Sequence, residues 1–143
     1  MRSPYLSVLD QHRRGAILVL SAALLVVIFA FTAFTIDVGY MAMTQGELQN
    51  AADSAALAGV QEQGNGAAAV KTEAEAYALR HRAAGSPVVV PDADVLLGIY
   101  DFSTKVFTPT GTNANAVRVT TRVANKPFFF APVIGNKQFS THA

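Results

Sequence analysis

The sequence of 143 residues contains no cysteine and no tryptophan, and only 15% of its residues are charged. Without cysteine the chain has no disulfide, no thiolate metal site and no cysteine nucleophile. The formal net charge is +1 and the basic residues form no cluster, so we expect no nucleic-acid partner. The low charge also excludes a disordered acidic or basic tail.

What the sequence does contain is one long apolar segment, residues 16–36, which carries no charge. The mean hydropathy of the chain is +0.29. This segment carries the whole excess, because the remaining residues average about −0.1 on a standard hydropathy scale. As a helix it is about 31 Å long, the thickness of a hydrocarbon core. The sequence therefore predicts one membrane span. A signal peptide is the main alternative, although its apolar core is usually only about 7–15 residues long.

The basic residues predict the direction of the span. Arg2, Arg13 and Arg14 precede it, and the next basic residue is Lys71. Positive charge stays on the cytoplasmic side of a membrane. We therefore expect residues 1–15 to be a cytoplasmic basic segment and everything after the span to lie outside the cell membrane.

Three residues mark the predicted exit from the membrane: Asp37, Gly39 and Tyr40. Tyr40 is placed where an interfacial aromatic side chain anchors a span. Asp37 falls in the last turn, where its carboxylate could reach headgroup water. The alternative is an intramembrane acid with a functional role.

The helix is predicted to continue outside the membrane over residues 37–62, because no proline interrupts it. Leu48, Ala51, Ala55 and Ala58 recur at steps of three and four and form a stripe of mostly small side chains. Small side chains let another element approach closely. The stripe is thus a candidate surface for packing against a partner, and packing against the chain's own domain is the alternative.

Residues 63–143 are predicted to form an extracytoplasmic α+β domain. Gly64–Gly66 reads as a turn and residues 67–84 as a second, short helix. The β-rich remainder predicts a small antiparallel sheet, so that the whole has a pilin-like arrangement. The expected strands are Val88–Val90, Val95–Phe102, Lys105–Thr108, Ala116–Val123 and, more weakly, Phe128–Phe130 and Gln138–Thr141. The Phe128–Phe130 run is either covered on both sides or marks a contact surface.

No residue pattern supports catalysis. The three histidines are scattered along the chain, and no nucleophile motif accompanies them. Asp92 and Asp94 lack the further acids of a calcium loop, and Asp101 lacks the spaced serines of an adhesion-type metal motif. We therefore expect no enzyme activity, no cofactor, no metal and no small-molecule substrate.

The N-terminal region resembles TadE/TadG-like proteins of the tight-adherence (Flp) pilus machinery of bacteria. The resemblance is carried by Arg13-Arg14-Gly15-Ala16, the apolar span, Ile36-Asp37-Val38-Gly39 and the run Leu48 to Gly59, which reads LQNAADSAALAG. It implies a single-pass inner-membrane protein that acts as a minor pilin-like or assembly component. It also raises cleavage between Gly15 and Ala16, although Leu20 stands where such sites normally have glutamate.

The predicted function is therefore structural: a membrane-anchored component of a Flp pilus or related envelope secretion system, acting through packing against other envelope proteins or further copies of itself. One alternative is a filament subunit cleaved after Gly15. The other is an anchored or secreted module that binds a surface ligand, which recovery of a span-free form from the medium would favour.

Overall fold

The structure is a computed structural model that describes residues 5–111 and 113–143. Its main element is helix α1, Tyr5–Gln61, which runs without a break through both predicted segments. No proline occurs between these two residues. Below, residues 16–36 are called the inner half of α1 and residues 37–61 the outer half. The stretch Gly15–Gln61 is long and apolar enough to cross a membrane, and its most apolar part is not buried in the structure.

Helix α2, Ala67–Ala78, follows a short 3-10 turn at Gln63–Asn65 and packs along the outer half of α1. It ends earlier than predicted, so the expectation of a helix over residues 67–84 is wrong at its C-terminal end. The chain instead forms a hairpin with a two-residue turn, in which β1 (Arg82–Ala83) pairs with β2 (Ser86–Pro87). The two linking residues have φ of 48° at Ala84 and 75° at Gly85. A primed turn requires positive φ at both positions, and it cannot form within a helix.

The predicted strand Val88–Val90 is also absent: these residues are extended but pair with no strand. Val88 and Val90 are buried while Val89 is 64% exposed. The alternation that predicted a strand therefore reflects burial on the core, not membership of a sheet.

A three-stranded antiparallel sheet follows, with strand order β4-β3-β5. β3 (Val95–Asp101) and β4 (Val106–Pro109) form the predicted hairpin, and β5 (Ala116–Val119) pairs with the other edge of β3. Gly98 lies at the centre, where an added Cβ would come within 2.5 Å of the Thr108 carbonyl oxygen. Only glycine fits there.

The predicted single strand Ala116–Val123 is divided into two, and this is a further correction. β5 ends at Val119, and β6 (Arg122–Pro127) belongs to a separate two-stranded sheet with β7 (Gln138–His142). Thr121 makes the change of partner: its N–H donates to the Ala143 carbonyl oxygen at 2.8 Å, and its buried hydroxyl donates to the Leu48 carbonyl oxygen at 3.0 Å. The fold is thus α+β, as predicted, with three small antiparallel sheets in place of one.

The segment Phe128–Phe130 is not a strand. It forms a turn that leads into a 3-10 helix at Ala131–Ile134, and Gly135, with φ of 97°, returns the chain to β7. We call residues 128–136 the C-terminal loop. The N–H groups of Phe129, Phe130 and Ala131 donate to a side chain of α1, described below, so they cannot also pair in a sheet.

The core lies between the outer half of α1, α2 and the sheets. Apart from Leu48, its buried members are alanines and valines: Ala51, Ala55, Ala74, Ala78, Ala83, Val88, Val90, Val95, Val119 and Val123. With so much alanine, the elements approach closely but each side chain removes little apolar surface from water.

Candidate functional site

The predicted partner-packing stripe lies inside the domain. Leu48, Ala51 and Ala55 are fully buried and Ala58 is 5% exposed, against α2 and the strands that follow it. This is the intramolecular alternative that the sequence left open. A contact of these four side chains with a second protein would require the domain to open.

Hydrogen bonds fix the domain to one turn of the outer half, residues 45–48. The Ala84 N–H donates to the Glu47 carboxylate at 2.9 Å, and the Gln45 side-chain amide donates to the His142 carbonyl oxygen at 2.8 Å. Together with the Thr121 hydroxyl bond, these contacts join the first hairpin and the C-terminal strand to one short stretch of helix. The outer half therefore forms one packed unit with the domain.

Asp37, the first residue of the outer half, is 4% exposed. Its carboxylate accepts hydrogen bonds from the backbone N–H groups of Phe129 at 2.9 Å, of Phe130 at 3.2 and 3.3 Å, and of Ala131 at 2.7 Å. A buried carboxylate is stable only when such donors surround it. The expectation that this carboxylate faces headgroup water differs from what the structure shows: it faces the backbone of the C-terminal loop.

Tyr40 lies one turn further along α1 and completes this contact. Its ring meets the rings of Phe129 and Phe139 edge to face, with centroids 5.1 and 5.7 Å apart. Phe139 in turn lies 5.2 Å from Phe128. Such edge-to-face pairs stabilise by about 0.5–1.5 kcal/mol beyond the area they bury. Asp37 and Tyr40 together hold the C-terminal loop against the helix at the predicted membrane exit.

The two glycines singled out by the sequence have open surroundings. A Cβ added at Gly39 or at Gly15 would meet nothing within 4 Å. Ala16, the residue after the possible cleavage point, is exposed on α1. Neither the membrane-exit role of Gly39 nor processing at Gly15 is tested by these positions, and both stay predictions.

Beside Asp37 the C-terminal loop and the inner half of α1 enclose an open groove of about 620 Å³, which we call the junction groove. Its lining is almost wholly apolar. On the helix side it is lined by Val26, Phe29, Ala30, Thr32, Ala33, Phe34, Ile36, Val38 and Met41, and on the loop side by Phe128, Phe130, Ala131, Val133 and Asn136. The hydroxyl of Thr32 donates to the Ile28 carbonyl oxygen at 2.9 Å, so it is satisfied within the helix.

The acidic residues considered for metal binding have other partners. Asp94 pairs with Arg122. Asp101 accepts hydrogen bonds from the N–H and hydroxyl of Ser103 and from Thr104, and these bonds lower the pKa of Asp101 to about 2. Within residues 5–111 and 113–143, no group of three or more His, Asp or Glu residues is placed to hold a metal ion.

The loop donors to Asp37 were not predicted. The sequence offered two separate signals, an acid at the end of an apolar helix and three consecutive phenylalanines, but nothing in either indicated that they meet across more than ninety residues of chain. One shared property could have linked them: the acid and the apolar run each lack an evident partner in the sequence.

Two family models match the chain. The family described as "Putative Flp pilus-assembly TadE/G-like" matches residues 15–62, and the one described as "Putative Tad-like Flp pilus-assembly" matches residues 43–143. The first covers both halves of α1, and the second covers most of the outer half and the whole domain. No curated protein and no solved structure matches the chain.

Proposed function

Because the chain belongs to the Tad family of Flp pilus-assembly proteins, we propose that it is a membrane-anchored structural component of a Flp pilus or a related envelope secretion system. The observation that carries this proposal is the division of α1. Its inner half is apolar and exposed along its length, whereas one face of its outer half is buried under a folded domain. A helix exposed in this way needs lipid or other apolar helices around it. The family is generally non-catalytic, in keeping with a structural role.

We infer that the N-terminus is cytoplasmic and the domain extracytoplasmic, in the inner membrane of a bacterium. Support comes from Arg13 and Arg14 before the inner half and from the lack of any lysine or arginine after it until Lys71. The absence of cysteine makes a direct test possible. Ser3→Cys and Ser103→Cys each introduce one thiol for a membrane-impermeant maleimide applied to spheroplasts. We expect labelling of Ser103→Cys at once and of Ser3→Cys only after permeabilisation. The reverse pattern would overturn this orientation.

Binding to assembly partners must use side chains that the domain leaves exposed, since the small-residue stripe is covered. On the outer half of α1, Met43 is 62% and Leu57 is 67% exposed, and at the tip of the β3–β4 hairpin Phe102 is 81% exposed. We propose that these apolar positions contact other envelope proteins of the same assembly system. Apolar side chains on an otherwise polar surface are the usual anchors of such contacts.

A photo-crosslinking residue in place of Leu57 tests this partner surface in cells that carry the complete assembly system. Thr72, exposed on α2, is the matched control position. We expect adducts from Leu57 with another protein of the assembly system and none from Thr72. Equal yields at both positions, or adducts that persist when the other assembly proteins are deleted, would count against the surface.

The second candidate, a filament subunit cleaved after Gly15, is favoured by one observation: every residue from Ala16 to Thr32 is exposed, so this helix surface is open for packing between copies. The mass of the mature chain decides it. A chain that begins at Ala16 supports the filament subunit, and a chain that retains Met1 supports the anchored assembly component.

A further inference from the structure

We propose that the C-terminal loop inserts into the outer leaflet of the membrane beside the span, and that lipid acyl chains fill the junction groove. The domain would then hold the membrane at two points, the inner half of α1 and this loop. The proposal rests on the proposed function, because it requires the inner half to be a membrane span.

The first argument is the position of exposed apolar surface. Phe129 is 64%, Phe130 is 44% and Val133 is 88% exposed, and residues 128–134 contain no charge. Exposure of such side chains to water costs about 25 cal/mol for each Å² of apolar area. The loop is held firmly by Asp37 and Tyr40, so these side chains cannot turn inward.

The second argument is continuity with the span. The junction groove reaches from Met41 down to Val26. Val26 precedes Asp37 by eleven residues, which is about 16 Å along a helix and about half of a hydrocarbon core. The loop therefore runs beside the apolar helix rather than above its end. If lipid surrounds the inner half, the same lipid reaches the loop.

The third argument concerns the backbone of the loop. Irregular chain is tolerated at membrane depth only where its polar groups are satisfied by protein. The N–H groups of Phe129, Phe130 and Ala131 are taken by Asp37. Pro132 has no N–H. Four further N–H groups donate to carbonyl oxygens within the loop or at its base: Phe128 to Lys137, Val133 to Phe130, Gly135 to Pro132 and Asn136 to Ala131, at 3.0–3.3 Å.

In this arrangement Asp37 pairs with the backbone of the loop. Its carboxylate satisfies donors that would otherwise be unpaired in lipid, and the same donors make the buried charge tolerable. The groove continues along the inner half as far as Val26, so the lipid that would surround the span also reaches it. This continuity favours lipid over a second copy of the chain as the occupant.

The absence of tryptophan provides the test. Three full-length variants each carry one fluorophore: Val133→Trp in the loop, Phe29→Trp in the inner half, and Phe102→Trp at the hairpin tip. Phe102 is 81% exposed and is the matched control, since it is as accessible as Val133 but belongs to the far sheet. Each variant is reconstituted into phosphatidylcholine–phosphatidylglycerol vesicles with phosphatidylcholine brominated on its acyl chains, which quenches only fluorophores in contact with lipid.

We expect Val133→Trp to lose as much emission as Phe29→Trp, while Phe102→Trp loses none. If Phe29→Trp is quenched and Val133→Trp is not, the inserted loop is wrong and the span stands. Phe29 lines the groove, so Phe31→Trp, at a position that is 69% exposed and outside the groove lining, reports the span alone. If Phe31→Trp is not quenched, the membrane anchor itself is wrong. Quenching of Val133→Trp that appears only when the protein is diluted in lipid would assign the groove to a second copy and overturn the proposal. Phe130→Trp, in the same loop, should repeat the result of Val133→Trp.

Discussion

The two halves of α1 form one helix but differ in the size and the exposure of their apolar side chains. In the inner half, large apolar side chains point outward: Leu18 and Leu20 are 71% exposed and Phe29 is 64% exposed. In the outer half, most of the buried positions are small, and Ala51 and Ala55 are fully covered by the domain. The inner half exposes a large apolar surface, and the outer half packs closely against its neighbours.

The difference shows that apolar content alone does not identify a buried packing surface. The inner half is apolar on every side, and only the outer half carries its apolar residues as a stripe next to polar ones. Gly59 illustrates how close the contact on that stripe is, since a Cβ there would lie 3.1 Å from the Val70 carbonyl oxygen. The outer half is the helix against which the rest of the domain packs. The inner half has no partner among the residues that the structure describes, apart from the C-terminal loop.

The strongest test of this contrast is one substitution made in each half. Ala55→Phe forces a large ring into a fully buried site, and we expect it to lower the free energy of unfolding by about 3 kcal/mol. Ala23→Phe places the same ring on the exposed inner half and should leave domain stability unchanged. Thermal unfolding of the full chain in detergent micelles measures both. Similar midpoints for the two variants would mean that the stripe is not packed as described.

The boundary between the halves is tested at Asp37. Asp37→Asn removes the charge that accepts the loop N–H groups and turns an amide donor toward them, so we expect a loss of about 2 kcal/mol. Amide hydrogen exchange should accelerate at Phe129–Ala131 and stay slow in β3. Asp53→Asn is the control: this exposed carboxylate accepts one bond, from Gln49 at 2.9 Å, and its loss should change stability by less than about 0.5 kcal/mol. Unchanged exchange in Asp37→Asn would show that the carboxylate does not hold the loop.

The contrast between α1 and Asp37 also shows how much of the fold can be predicted from the sequence. The continuity of α1 from residue 16 to residue 61, the stripe and the β3–β4 hairpin were predicted because each depends on local periodicity or on turn residues, whereas the helical start at Tyr5 was not. The pairing of Asp37 with the C-terminal loop could not be predicted, because it joins the first helix to nearly the last residues and uses backbone donors that have no sequence signature.

The errors have the same origin. Residues 79–84 were predicted as helix because their composition favours it, but the Ala84–Gly85 turn and the burial of Ala83 decide their conformation. Residues 116–123 alternate like one strand, yet Thr121 leaves the first sheet to bond Ala143 and Leu48. In both places a long-range contact overrides a local preference.

The third test compares two glycines of the outer half. Gly59→Ala presses a methyl group against Val70 and Ala74, and after the gain in helix propensity we expect a net loss of about 1 kcal/mol. Gly39→Ala meets nothing within 4 Å, so propensity alone acts and stability should rise by about 0.5–1 kcal/mol. Opposite signs in the unfolding midpoint are the expected outcome. If Gly39→Ala destabilises the isolated chain, its surroundings are more crowded than the structure indicates.

The smallest effect concerns the contact between α2 and the 3-10 turn Asp92–Asp94 that precedes β3. The pKa of Glu75 is raised above its ordinary value of 4.5, first by a hydrogen bond with Asp92, then by burial and by repulsion from the Asp92 charge. The folded state therefore favours protonated Glu75, and stability from this pair is present below about pH 4.5 and lost as pH rises through the folded-state pKa. Glu75→Gln keeps the neutral form, so its unfolding midpoint should exceed that of the natural chain at about pH 7 and match it at about pH 4. Glu73→Gln, on the same helix, serves as the control and should show no such pH-dependent gain. A gain for Glu75→Gln that persists unchanged at about pH 4 would mean that the carboxyl pair is not its cause.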